Sequence, residues 1–202
     1  MKLIGLYDSP FVRRVAVSMR LRHIPFEHVA LSVFRDREEM GRINPMMKIP
    51  LLVLDNGEKL WDSSFILDYL DQDIAPDSRL IPASGAARVN EQQRCAVGLI
   101  AAEKAVQLYY ETKLRPQELV YPRWVKRCVE QMHQAFAMLE AQPLSDALSG
   151  AQIMQGDITA AVALRFAVHM HGDQFPTGRY PGLEQLSAYC EALPAFCETP
   201  LE

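Results

Sequence analysis

A short turn near the N-terminus carries the residues best placed for chemistry. Ser9-Pro10-Phe11-Val12 follows an apolar run and opens a segment with helical periodicity. Its spacing is that of a Cys-Pro-Phe-Cys redox turn in which serine and valine replace both cysteines. Because thiol–disulfide exchange needs a thiolate at this helix N-terminus, the turn lacks that chemistry. What remains is a serine hydroxyl beside backbone N–H groups and the positive end of a helix dipole, which favour an anion.

We therefore expect Ser9 to stabilise a thiolate that belongs to a ligand. The hydroxyl would donate a hydrogen bond to sulfur, and the field of the helix would lower the pKa of the bound thiol. The nucleophile would then be a substrate thiol. The simpler alternative is that Ser9 only caps the helix.

Two later segments could bind the rest of an extended thiol ligand. A cis bond between Ile49 and Pro50, in Lys48-Ile49-Pro50, would leave the Ile49 backbone free to pair with a peptide. An ordinary trans proline opening a strand is the alternative. At Asp62-Ser63, a ligand carboxylate could bind the Ser63 N–H and hydroxyl, and Asp62 could bind an ammonium group. Simple helix capping is the alternative there.

The elements that hold these segments alternate between strand and helix. On the first helix, Arg13, Arg14 and Arg20 lie opposite the apolar face. The order predicts a mixed sheet with helices packed on its faces. The predicted elements are strand 2–7, a helix from Ser9 that ends at His23-Ile24-Pro25, strand 26–31, helix 35–42, strand 49–54, a hairpin turn at 55–58, strand 59–61 and a helix from Asp62. In the hairpin turn, Asn56 and Gly57 accept positive φ. The last helix has the apolar stripe Ile66, Tyr69 and Leu70.

The second half of the chain is predicted to be helical. Between residues 73 and 87 the composition becomes rich in Ala, Pro, Asp and Ser, which is typical of a linker. We place a first domain at 1–75, a linker at 76–86 and a second, all-α domain at 87–202. Its helices are predicted at 87–113, 124–141, 157–171 and 183–193.

Composition excludes several classes of partner. A hydrophobic fraction of 49% and a net charge of −4 indicate a folded protein, without a basic and aromatic cluster suited to nucleic acid. No apolar stretch approaches the roughly 20 residues that span a bilayer, and the N-terminus does not resemble a signal peptide. We expect a cytoplasmic protein with no nucleic-acid or membrane partner.

Metal binding is not expected either. Cys95, Cys128, Cys190 and Cys197 lack the spacing of zinc ligands or of a disulfide framework. His169 and His171 are two residues apart, so on a helix they point in different directions.

Several motifs in one order resemble the N-terminal half of cytosolic glutathione transferases. They are Ser9-Pro10-Phe11-Val12-Arg13, Asn44-Pro45, Lys48-Ile49-Pro50 and Asp62-Ser63. The resemblance is closest to serine-type branches such as the plant tau class and many bacterial members. It implies an α/β thioredoxin-like domain with a mixed four-stranded sheet, an all-helical C-terminal domain and a homodimer. It also implies glutathione as co-substrate, with no permanently bound cofactor.

The resemblance assigns a role to each candidate residue. Other branches use a tyrosine near the end of the first strand, but here Ser9 directly precedes the proline, so Tyr7 is expected in the core or in the wall of the site. By analogy, Ser9 holds the glutathione thiolate, Ile49 pairs its backbone with the cysteinyl unit, Lys48 meets a carboxylate, Asp62 and Ser63 bind the γ-glutamyl end, and Arg35 reaches the glycine carboxylate.

The pocket for a second substrate is assigned less specifically. Tyr7, Phe11, Leu99, Glu103, Val106 and Tyr110 are the expected lining, although the last four could simply be core residues. Three departures from the family pattern stand out: Asp62 where Glu is commoner, Met47 where Gly is frequent, and Val162 where a carboxylate would complete the capping box of the helix that starts at Gly156-Asp157-Ile158-Thr159.

The implied activity is conjugation of the glutathione thiolate to small hydrophobic electrophiles, as in detoxification. Peroxidase, isomerase or lyase chemistry could use the same site. The alternative from another class is a non-catalytic protein of this fold that binds a regulatory partner.

Overall fold

The computed structural model describes residues 1–72, 78–143 and 146–201. The chain forms two compact units, one of Met1–Leu80 with Leu193–Glu202 and one of Ile81–Ala192. The C-terminal ten residues therefore belong with the first unit, whereas the sequence placed them in the helical half. The predicted end of the first domain at residue 75 and the start of the linker at 76 lie outside the described residues.

The first unit contains the predicted mixed four-stranded sheet. In chain order the elements are β1 Lys2–Ile4, α1 Pro10–Leu21, β2 Glu27–Val29, α2 Arg37–Ile43, β3 Leu51–Val53, β4 Lys59–Trp61 and α3 Ser63–Gln72. The strands are shorter than predicted, with three residues each. The strand order is β2-β1-β3-β4; β2 is parallel to β1, and β3 is antiparallel to both of its neighbours.

Alternation along the strands divides the core of this unit into two clusters. Leu3 and Leu52 pack with the apolar residues of α1 and α3, while Ile4 and Leu51 pack with Met40 of α2. Since successive strand residues point to opposite faces, α1 and α3 cover one face of the sheet and α2 covers the other. In α3 the predicted stripe was wrong at one position: Tyr69 is 40% exposed and Leu67 is buried.

The hairpin between β3 and β4 forms as predicted, but with a different turn. Only Gly57 has a positive φ, of 87°, and Asn56 does not. The Gly57 N–H donates to the Leu54 carbonyl at 2.9 Å, and the Leu54 N–H donates to Glu58 at 2.8 Å. The turn is therefore a three-residue type with a glycine bulge rather than the two-residue type that Asn-Gly favours.

Two arginines that the pattern placed opposite the apolar face are buried. Arg13 is 1% exposed and Arg14 is 3% exposed. The Arg13 Nε donates to the Thr199 carbonyl at 2.6 Å, and its guanidinium lies 5.6 Å from the centre of the Phe196 ring. Arg13 thus binds the C-terminal segment to α1, because a buried guanidinium must have its hydrogen bonds satisfied.

Among the residues that the structure describes, all regular elements of the second unit are helices. Gly98 lies where a Cβ would approach Thr159 Cγ2 to 2.9 Å, so the small residue lets the helices Gly85–Tyr109 and Gln155–His171 pack closely. None of the described helices is both long and apolar enough to cross a membrane. The helices are α4 Gly85–Tyr109 with a π-helical turn at Tyr110–Leu114, α5 Pro122–Glu140, α6 Gln155–His171 and α7 Pro181–Glu191; α8 Pro194–Cys197 lies in the first unit.

The start of α6 corrects the predicted loss of its capping box. The helix begins at Gln155, two residues earlier than predicted, so Asp157 occupies its third position. The Asp157 carboxylate accepts the Met154 N–H at 3.0 Å, which is the reciprocal bond that was expected to be missing. Thr159 is already inside the helix and donates to the Gln155 carbonyl at 2.7 Å.

Candidate functional site

Sheet topology brings the predicted site segments to one edge of the first unit. Ile4, the last residue of β1, pairs with Leu51, the first of β3, and Leu51 pairs with Trp61, the last of β4. The Ser9 turn, the Ile49 loop and the start of α3 therefore all leave the sheet at the same edge. Because β2 is parallel to β1, the loop that contains Arg35 begins there too.

Ser9 is the N-cap of α1. Its backbone is extended, with φ −74° and ψ 120°, and its side-chain oxygen accepts the Val12 N–H at 3.4 Å. The capping role is therefore real. It does not compete with the predicted role, since a hydroxyl that accepts one bond keeps its own proton to donate.

Gly5 allows α1 and the Ile49 loop to approach the end of β1. Its φ is 131°, and a Cβ there would lie 2.6 Å from Val12 Cγ2 and 3.0 Å from Ile49 Cβ. A larger residue would push apart the two segments that hold Ser9 and Ile49. In the sequence, the signal for such a close approach is a glycine directly after a strand.

Asn44 holds the loop that leads to Ile49. It is fully buried, its Nδ2 donates to the Lys48 carbonyl at 2.6 Å, and its Oδ1 accepts the Met46 N–H at 3.2 Å. The Ile49–Pro50 bond is cis. Among the described residues, the backbone N–H and C=O of Ile49 have no hydrogen-bond partner.

Two residues near this loop are in the left-handed backbone region. Met47 has φ 53°, which accounts for glycine being frequent at this position in the family. Asp62 has φ 65°, a conformation that aspartate tolerates better than most residues. The side chain of Lys48, between them in sequence, is exposed.

The start of α3 combines a capping carboxylate with a buried hydroxyl. The exposed Asp62 accepts the Ser64 N–H at 2.8 Å. Ser63 is 4% exposed, and its hydroxyl accepts a hydrogen bond from Arg14 Nη1 at 2.9 Å. The sequence pattern missed Arg14, because helical periodicity does not show which cation is buried.

Tyr7 is a core residue. It is 5% exposed, and its ring stacks on His28 with centres 3.8 Å apart and an interplanar angle of 8°. His28 Nε2 is in turn hydrogen-bonded to the Gly5 carbonyl at 2.7 Å. Tyr7 therefore supports the strand end that precedes Ser9, and Phe11, in the first turn of α1, is half-buried.

Arg35 is the candidate least constrained by the structure. Its backbone N–H donates to the Ser32 hydroxyl at 3.2 Å, and the Ser32 N–H donates to Asp36 at 2.8 Å, so the turn itself is held. The Arg35 side chain is exposed. Its predicted carboxylate contact stays a prediction.

Three of the pocket candidates lie on α4 and the fourth, Tyr110, begins the π-helical turn that follows it. Leu99 and Val106 are half-buried, while Glu103 and Tyr110 are exposed. The plain-core alternative is therefore wrong for Glu103 and Tyr110, and the role of all four in a substrate pocket stays a prediction. The buried residues of α4 are instead Glu91, Cys95, Gly98, Ala101, Ala102, Ala105 and Leu108.

Burial shifts the pKa values of several titratable groups in the helical unit, His133 and Cys128 among them. Burial, with a smaller contribution from Arg179, lowers the pKa of His133 to about 4. Burial also raises the pKa of the Cys128 thiol, so this cysteine is a poor nucleophile. Within the described residues, no three His, Cys, Asp or Glu side chains are grouped to hold a metal ion.

A thioredoxin-like sheet followed by a helical unit is the two-domain architecture of cytosolic glutathione transferases. Residues 3–78 match the model of the glutathione S-transferase N-terminal domain, and residues 122–192 match that of the C-terminal domain. The chain belongs to the glutathione S-transferase family.

Individual relatives cover the chain to different extents. A glutathione transferase family member from Pseudomonas fluorescens Pf-5, solved with bound glutathione, superposes with a TM-score of 0.88 at 29% identity, over 100% of this chain and 98% of that one. The probable maleylacetoacetate isomerase of Vibrio cholerae is 26% identical over 99% of this chain and 95% of its own length. The GST-like protein YibF of Escherichia coli is 31% identical, but the match spans only 50% of this chain and 51% of YibF.

Proposed function

We propose that this protein binds glutathione, ionises its thiol with the help of Ser9 and transfers the thiolate to a small hydrophobic electrophile. The observation that carries the proposal is the position of Ser9 at the N-terminus of α1, where its hydroxyl accepts from Val12 and retains a proton for sulfur. The same helix end provides a positive field that stabilises the thiolate. Such a thiolate is the nucleophile once the thiol proton has passed to solvent. Its sulfur bonds to a carbon of the electrophile as a leaving group departs from that carbon, or as an attacked double bond takes up a proton. The protein need not form a covalent intermediate.

The other segments at this edge of the sheet, the Ile49 loop and the start of α3, suit an extended γ-glutamyl tripeptide. The N–H and C=O of Ile49, which have no partner among the described residues, can bond to the cysteinyl backbone as an added strand does. Ser63, with its N–H and hydroxyl at the start of α3, suits the γ-glutamyl carboxylate, and Asp62 suits the γ-glutamyl ammonium. Lys48 and Arg35 are exposed cations for the glycine end. The glutathione bound in the P. fluorescens relative supports this assignment.

A second reaction at the same site is glutathione-dependent cis–trans isomerisation. It is favoured by the full-length similarity to the probable maleylacetoacetate isomerase. There the thiolate would add to a carbon–carbon double bond, the resulting single bond would rotate, and expulsion of the thiolate would restore the double bond. Glutathione would be regenerated rather than consumed, which separates isomerase from transferase in a stoichiometric assay.

The test is ultraviolet titration of the bound thiolate between about pH 5 and 9. Wild type should show a thiolate band near neutrality that Ser9→Ala loses. Ser9→Thr is the control, because it keeps both a hydroxyl and a helix cap, whereas Ser9→Ala also costs about 1 kcal/mol of capping. If glutathione does not bind, or binds with an unshifted thiol in all three proteins, the proposed activity is wrong and a protein-binding role becomes the better hypothesis.

A further inference from the structure

A buried cation lies behind the proposed γ-glutamyl site. Arg14, on α1, is 3% exposed, and its Nη1 donates to the Ser63 hydroxyl at 2.9 Å and to the Ser64 hydroxyl at 3.3 Å. The two serines are the first residues of α3. Arg14 therefore joins the helix that begins at Ser9 to the helix that begins at Ser63.

The hydrogen bond from Arg14 determines that the Ser63 hydroxyl acts as a donor toward any ligand. An oxygen that accepts from a guanidinium must direct its own proton elsewhere, and the nearby positive charge makes that proton a stronger donor. In the described part of the chain, neither this proton nor the Ser63 N–H has an acceptor. The Ser64 N–H, in contrast, is already bonded to Asp62.

Two donors on one residue, backed by a buried cation, form a site for a single carboxylate. We infer that Arg14 is a positioning residue that makes the enzyme select thiols with a γ-glutamyl carboxylate, and that it acts through Ser63. This inference rests on the proposed function. Because Arg14 acts on the ligand through Ser63, it should govern thiol binding and leave the chemical step at Ser9 largely unchanged.

The test compares two thiols in four proteins: wild type, Arg14→Met, Arg14→Lys and the control Arg20→Met. Arg20 is on the same helix but is 40% exposed and pairs with Glu198 at 3.2 Å, away from Ser63. Glutathione carries the γ-glutamyl carboxylate, and cysteinylglycine lacks the whole γ-glutamyl unit. Both thiols are assayed with one electrophile for KM and kcat.

The expected result is a KM effect confined to glutathione. Arg14→Met should raise the KM for glutathione roughly 10- to 100-fold, the value of a charge-assisted hydrogen bond, while kcat changes little. Its KM for cysteinylglycine should equal that of wild type. Arg14→Lys should recover part of the loss, and Arg20→Met should match wild type with both thiols.

Two further measurements keep the inference open to refutation if Arg14→Met folds poorly. Ser63→Ala should reproduce the glutathione-specific loss, and adding Arg14→Met to it should change KM little, because the two residues act in series. Wild type should also prefer glutathione to its analogue with the γ-glutamyl carboxylate amidated. Equal losses with both thiols, or additive effects of the two substitutions, overturn the inference but leave the proposed function standing. A wild type with no thiolate band for glutathione overturns both.

Discussion

The indole Nε1 of Trp61 donates a hydrogen bond to Oδ1 of Asn44 at 3.2 Å. Asn44 also holds the Lys48 carbonyl and the Met46 N–H. One buried amide thus connects the end of β4 with the loop that presents Ile49. The backbone of Ile49 can bind a peptide in a fixed geometry only while this loop is held.

Replacing that amide should damage both stability and glutathione binding. Asn44→Ala leaves the Lys48 carbonyl and the Trp61 indole without their partner, which should lower the free energy of unfolding by about 2–3 kcal/mol. The KM for glutathione should rise as the loop loosens. Urea denaturation and steady-state kinetics measure the two effects. Asn56→Ala is the control, since Asn56 is exposed and bonds only within its turn; an equal loss in that variant would contradict the argument.

Gly57 gives a prediction about backbone conformation alone. A Cβ there would meet nothing within 4 Å, yet φ is 87°. Gly57→Ala should therefore destabilise the protein by about 1–2 kcal/mol through the left-handed backbone and not through a clash. Gly172 also has open space around it but a φ of −48°, so Gly172→Ala should be neutral or stabilising by up to about 1 kcal/mol. Equal thermal unfolding shifts in both variants would contradict the explanation.

Sequence patterns predicted the order of elements and the Ser9 cap because these depend on local chemistry. Ser9-Pro10 and Asn56-Gly57 specify a helix start and a hairpin through backbone preferences of a few residues. The failures have a different origin. Whether Arg14 faces solvent or Ser63 depends on a segment that is distant in sequence, and hydrophobic periodicity describes residue types rather than partners.

The start of α6 is a second feature that the sequence predicted wrongly. The capping box of α6 is lost if Thr159 is taken as the cap, because Val162 then falls in the third position, but the N-cap is Met154, five residues earlier. Helix boundaries depend on which residue first takes helical dihedrals, and several polar residues in a row can each act as a cap. Once the start is at Gln155, Asp157 falls in the position that the box requires.

His133 should make stability depend on pH in the acid range. Its Nδ1 is hydrogen-bonded to the Tyr180 hydroxyl at 2.9 Å, and that hydroxyl donates to the His133 carbonyl at 3.2 Å, so Nδ1 carries the proton. In the described residues, the buried Nε2 has no partner. Charging the ring would add a buried, unpaired N–H, and burial together with Arg179 lowers the pKa of His133 to about 4.

The direction of this pH dependence of stability follows from proton uptake by the folded and unfolded chains. Between the folded pKa of about 4 and the unfolded value near 6.5, the unfolded chain binds more protons at His133 than the folded one does. Stability should therefore fall as pH decreases from 6.5 toward 4, by about 1–3 kcal/mol for this residue. His133→Gln should reduce that dependence when unfolding is measured at several pH values. His169→Gln, at an exposed position, should leave that dependence unchanged. Burial also lowers the pKa of His171, so this residue contributes to the pH dependence in the same direction in every variant.

The exposed surface of α3 leads to a prediction of self-association. Phe65 is 72% exposed, and Tyr69, one turn later on the same helix, is 40% exposed. Aromatic side chains grouped on one surface are typical of an interface, and a second copy of the chain is the occupant that the family resemblance implies. Phe65→Glu should therefore shift a dimer toward monomer in sedimentation velocity, because a carboxylate would be buried without a partner. Phe34→Glu is the matched control: Phe34 is 49% exposed but precedes α2, on the opposite face of the sheet. A wild type that sediments as a monomer, or equal dissociation by both substitutions, would exclude this surface as the dimer interface.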